Sequence, residues 1–95
     1  MILASSVPEL RNLTRIIEDN SATLSDYHRY QDILTSSGLT KEYILGYLKQ
    51  SGFNSWEEFI GARNQLQTKE NFNTAIIGGL IGIGLAVLFS SIQEN

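Results

Sequence analysis

Cysteine is absent from the 95 residues, which excludes disulfides, iron–sulfur clusters and thiolate zinc sites. Histidine, tryptophan and proline occur once each. Basic charge is scarce as well: seven Lys and Arg stand against ten Asp and Glu, a net charge of −3. Nucleic-acid binders draw most of their affinity from neutralising phosphates, so a chain without a basic excess is not expected to bind nucleic acid. The start, MILASSVPEL, has no basic segment and no long apolar run and does not read as a signal peptide. No G-x-S-x-G, phosphate loop or H-E-x-x-H is present. Neither a cofactor nor a small-molecule substrate is therefore expected, and no catalytic or metal-binding residue is assigned.

One absence is local. Between residues 74 and 92 there is no charge, no proline and no amide side chain over 19 residues, TAIIGGLIGIGLAVLFSSI. A helix of that length spans roughly 28 Å, close to a bilayer's hydrocarbon thickness. Only Gln93, Glu94 and Asn95 follow it. The first 73 residues hold all seven basic and nine of the ten acidic residues. The expected division is a soluble helical domain over 1–70 and a C-terminal transmembrane anchor over 71–95. A chain this small has little interior, so burying the whole run on all sides is not expected.

The rest of the chain is patterned at a period near 3.6, with no strand signal of weight. Ser6 and Glu9 form an S-x-x-E capping box, with Pro8 in the first turn. Leu10, Leu13, Ile16 and Ile17 then set the apolar face of a helix from Val7 to about Asp19. A second helix starts at Ser21 or Thr23 and runs to about Ser36, with Leu24, Tyr27, Tyr30, Ile33 and Leu34 inward. Gly38 has the position of a C-cap glycine. A third helix is capped by Thr40, carries Ile44, Leu45 and Leu48, and ends at Gly52. A fourth follows a second box, Ser55 to Glu58, with Trp56, Phe59 and Ile60 inward and Phe53 placed to staple onto them. Beyond Asn64 the sequence is polar, and either the fourth helix continues into the apolar run or Asn71 or Asn73 caps a separate one. The fold class is all-α: an N-terminal bundle of three or four short helices, then one transmembrane helix.

Few residues offer chemistry. His28 has only Asp32 on its own helix face, an incomplete constellation that reads as a solvated histidine. Glu57 and Glu58 are explained by capping. Tyr27, Tyr30, Tyr43 and Tyr47, together with Trp56, form a possible partner surface, since such rings are enriched in interfaces. At i, i+3 and i, i+4 spacing the same tyrosines equally suit covering the core. Asn12-Leu13-Thr14 fits the glycosylation pattern but falls inside a helix.

The specific signal lies in the apolar run. Ala75, Gly78, Gly79, Gly82, Ala86 and Ser90 fall within an arc of about 120° on a helix. Such a ridge lets a second helix approach closely within a bilayer. Ile77, Leu80, Ile81 and Leu88 lie elsewhere on the helix and suit lipid. The expected partners are the bilayer and other transmembrane helices, in a homo-oligomer or a larger membrane complex. Lys49, Arg63 and Lys69 precede the run and no cation follows it, which by the positive-inside rule puts the N-terminal domain in the cytoplasm. Three functions suit this chain. One is a non-enzymatic structural or assembly subunit of a membrane complex or viral membrane. Another is a holin- or toxin-like effector whose glycine-rich helix self-associates to permeabilise the bilayer. The third is a tethered adaptor recruiting a cytosolic partner.

Overall fold

The structure is a computed structural model that describes residues 6–66 and 76–93. Five helices follow one another: α1 (Val7–Glu18), α2 (Leu24–Ser36), α3 (Lys41–Gln50), α4 (Trp56–Leu66) and α5 (Gly78–Gln93). The all-α bundle is as the periodicity predicts; the first three helices start and stop close to where the local signals place them, and α4 starts where its signal does, while the passage from α4 toward the apolar run lies outside the described residues. Thr23 caps α2 reciprocally: its hydroxyl accepts from the Asp26 N–H at 3.2 Å, and the Asp26 carboxylate accepts from the Thr23 N–H at 2.8 Å. Thr40 accepts from the Tyr43 N–H at 3.0 Å and opens α3. Gly38 and Gly52 close α2 and α3 at φ of +118° and +103°, a region that side chains resist.

Two caps differ from the boxes in the sequence. Ser6 makes no side-chain cap bond, because its own backbone is already helical at φ −91° and ψ −11° rather than extended. At α4 the Ser55 hydroxyl accepts from the Glu58 N–H at 3.2 Å, but the Glu58 carboxylate reaches one residue further back, to the Asn54 N–H at 3.1 Å.

The core is one continuous cluster. Leu10, Leu13 and Ile17 of α1 meet Tyr27, Tyr30, Ile33 and Leu34 of α2, Ile44 and Leu48 of α3, and Trp56 and Phe59 of α4. The Phe53 staple forms, edge-on to Phe59 with ring centroids 5.4 Å apart. Ile77, Leu80, Ile81 and Leu88 belong to the same cluster and are buried. α5 therefore lies in the bundle, packed chiefly against α1.

This overturns the transmembrane helix of the expected fold. Among the described residues no helix is long and apolar enough to cross a membrane. α5 runs for 16 residues, about 24 Å at 1.5 Å per residue, short of a hydrocarbon core of roughly 30 Å. The physical reason is that Leu10, Leu13 and Ile17 present an apolar stripe on α1, and α1 packs more extensively against α5 than against any other helix. α5 covers it, with the large residues that also suit lipid. The run need not be buried on all sides, since one side of α5 stays open to water.

Candidate functional site

α5 has two faces although it carries no charge. Ile77, Leu80, Ile81, Gly84 and Leu88 point into the bundle, and Gly78, Gly79, Gly82, Leu85, Ala86 and Phe89 point out. At 100° per residue the outward set spans an arc of about 120° on the opposite side from the buried one. Leu85 is 51% exposed and Phe89 64%, and these two are among the most exposed large apolar residues described. The small-residue ridge thus coincides with the open side of the helix. Ala75 lies outside the described residues, and Ser90 belongs to the last turns of α5.

Two tyrosines fix α5 through its backbone. The Tyr30 hydroxyl donates to the Leu80 carbonyl at 2.8 Å and accepts from the Gly84 N–H at 3.0 Å. These are the carbonyl and amide that an α-helix pairs with each other, so the hydroxyl bridges one step of the α5 ladder. Gly84 permits this approach, because a β-carbon there would overlap the Tyr30 hydroxyl and press on Thr14 Cγ2 at 3.0 Å. Tyr47 from α3 holds the entry to α5 by a single bond, donating to the Ile76 carbonyl at 2.5 Å. A β-carbon on Gly79 would overlap its hydroxyl. Burial holds the Tyr30 hydroxyl well above the usual phenolic range, so it stays a donor.

The aromatic set divides accordingly. Tyr27, Tyr30 and Trp56 are core residues, Tyr47 is half-buried, and Tyr43 is exposed. Tyr27 stacks on Trp56 at 5.2 Å and meets Phe59 edge-on at 5.6 Å. The Trp56 indole N–H donates to Gln31 Oε1 at 2.8 Å. Burial also raises the Tyr27 hydroxyl, partly offset by the Arg63 guanidinium donating to it at 3.1 Å.

Arg63, which the sequence suggests only as a cation flanking the apolar run, is a core residue. It is 2% exposed and donates to the Ile17 and Glu18 carbonyls as well as to Tyr27. Those carbonyls end α1, where the helix dipole is negative, so a buried cation from α4 closes the C-terminus of α1. A signal was present: Trp56, Phe59 and Arg63 share one face at i, i+3 and i+7.

A groove of about 550 Å³ runs between α1 and α5. Its α5 wall is Ile81 and Leu85, and the latter continues into the outward face. Its α1 wall is polar, with Arg11 and Arg15 one turn apart, Asn12 between them and Glu18 further on. Arg15 donates to Asn12 Oδ1 at 2.5 Å and lies 4.0 Å from Asp19. Arg11 has no ion-pair partner among the described residues. Between α1 and α2, Arg29 holds Glu9 through two hydrogen bonds of 2.6 and 2.8 Å, which draws the Glu9 carboxyl below its ordinary range.

Elsewhere the described residues offer little for chemistry. His28 is exposed, and no three metal-ligating side chains gather among the described residues. No family model, no curated protein and no solved structure matches this chain.

Proposed function

We propose that this chain is a non-enzymatic assembly subunit, a small helical bundle that joins a larger complex by packing the outward face of α5 against another protein. One observation carries the reading. Six residues facing out from α5, Gly78, Gly79, Gly82, Leu85, Ala86 and Phe89, include no polar side chain. Scattered exposed apolar residues are ordinary on protein surfaces, but a contiguous apolar helix face is a mark of an interaction site. Gly78, Gly82 and Ala86 allow close approach, and Leu85 and Phe89 supply apolar area to bury, at about 25 cal/mol per Å². The readings that need a spanning helix have none among the described residues to rest on.

The test is native-state sizing from the source cells. Leu85→Lys with Phe89→Lys changes only exposed positions, so the thermal unfolding of the isolated chain should move by no more than about 0.5 kcal/mol. The double variant should leave the larger assembly and elute at its own size. Elution unchanged from the wild type would refute the reading.

A further inference from the structure

The surface that α5 offers is not uniform, and its asymmetry bears on what occupies it. On one side the outward face runs through Leu85 into the groove against α1. There an apolar wall, Ile81 and Leu85, stands opposite two arginines at i, i+4, Arg11 and Arg15. Both arginines are exposed, and Arg11 has no ion-pair partner among the described residues. Of the carboxylates along this side of α1, Glu9 is held by Arg29 at 2.6 Å and Asp19 lies 4.0 Å from Arg15, so within the groove Glu18 alone stands against the two arginines. A groove with one apolar wall, and one polar wall on which two arginines outnumber a single glutamate, is the complement of a helix that is apolar on one face and acidic along its edge.

We propose that the α1–α5 groove binds an amphipathic helix of a partner protein. The helix sets apolar side chains on Leu85 and Phe89 and carboxylates against Arg11 and Arg15. This rests on the assembly reading and names the class of partner. A second copy of the chain suits the groove less well. Its own outward face of α5 is apolar but has no charged residue to meet the arginines. An anionic membrane surface also suits it less well. The arginines line a concave groove rather than project from a ridge, and a flat anionic surface repels a chain of net charge −3. A peptide reaches only the groove, and charges beyond about 10 Å are screened from it at 0.1 M salt.

Fluorescence anisotropy on the full chain tests this with defined probes. One is a labelled model helix of about five turns, with leucines at i, i+3, i+4 and i+7 and glutamates along the neighbouring edge. A second peptide has glutamine for every glutamate, and vesicles of phosphatidylcholine with phosphatidylserine form a third probe. The glutamate peptide should bind roughly fivefold tighter than the glutamine peptide at low salt, the gap narrowing as salt rises. Arg11→Gln with Arg15→Gln should erase that gap, while Leu85→Gln should weaken both peptides. Equal affinity for the two peptides in the wild type overturns the proposal, as does binding to the vesicles and to neither peptide. If neither peptide binds while Leu85→Lys with Phe89→Lys still releases the chain from its assembly, the groove proposal fails and the assembly reading stands. If that double variant also leaves the assembly intact, both fail.

Discussion

The Tyr30 hydroxyl and Gly84 are made for each other: the hydroxyl accepts from the Gly84 N–H at 3.0 Å, in space that any side chain at residue 84 would fill. The glycines of α5 therefore serve two different ends. Gly84 and Gly79 seat tyrosine hydroxyls, while a β-carbon on Gly78 or Gly82 would meet open space.

That difference predicts opposite signs for one substitution. Gly84→Ala forces Tyr30 or Thr14 to move and should cost about 1–3 kcal/mol. Gly82→Ala meets nothing and lowers the backbone entropy of the unfolded chain, so it should stabilise by about 0.5–1 kcal/mol. Urea midpoints of the two variants, at constant slope, measure both effects. Equal costs at the two positions would show that Tyr30 does not seat on Gly84.

The buried guanidinium of Arg63 makes a second prediction. Arg63→Met keeps the stem's packing but strands the Ile17 and Glu18 carbonyls and the Tyr27 hydroxyl. Loss of several buried partners at once should cost about 3 kcal/mol or more. Arg63→Lys should recover only part of this, because one ammonium lacks the planar fork that reaches several acceptors together. Chemical denaturation gives the stabilities, and hydrogen exchange at the end of α1 should report the local loss.

Much of this fold is local in origin and was legible for that reason. Thr23, Thr40, Gly38 and Gly52 each act on the turn in which they sit, so sequence alone placed the ends of α2 and α3. The docking of α5 was not legible in the same way. Ile77, Leu80, Ile81 and Leu88 are as compatible with lipid as with a protein core. What decides between the two is whether the stripe of Leu10, Leu13 and Ile17 on α1 packs against α5, a property of the assembled bundle. The candidate site was legible in its small residues, Gly78, Gly82 and Ala86, but not in its setting. Arg11 and Arg15 lie some 70 positions from Leu85, and no periodicity links them. Gly84, to which the sequence assigned no special role, turns out to be the α5 glycine most tightly enclosed, because its partner Tyr30 is 54 positions away.

The helix caps yield a third prediction, a contrast between two hydroxyl residues at similar places. Thr23→Ala removes a reciprocal box and should cost about 1 kcal/mol. Ser6→Ala should change stability by no more than a few tenths of a kcal/mol, since Ser6 makes no side-chain cap bond. Thermal unfolding of the two variants side by side decides it. A matching loss at Ser6 would mean that its hydroxyl does cap α1.

The tyrosines predict how stability depends on pH. Burial raises the folded-state pKa of both Tyr27 and Tyr30 above the ordinary value of 10.0. A raised pKa means that the folded state keeps its protons after the unfolded state has begun to lose them. The contribution is therefore fully present below about pH 10 and is lost as pH rises beyond it. Tyr30 is the more enclosed of the two, and its proton is the one donated to the Leu80 carbonyl. Urea midpoints should thus hold steady as far as tyrosine titration allows and then fall on the alkaline side. Tyr30→Phe should start lower by about 1–2 kcal/mol, from the Leu80 carbonyl and Gly84 amide left without the bridging hydroxyl. Its alkaline decline should nonetheless be shallower, because one of the two shifted groups is gone. A variant that starts lower and then declines in parallel with the wild type would show that the Tyr30 proton does not secure α5.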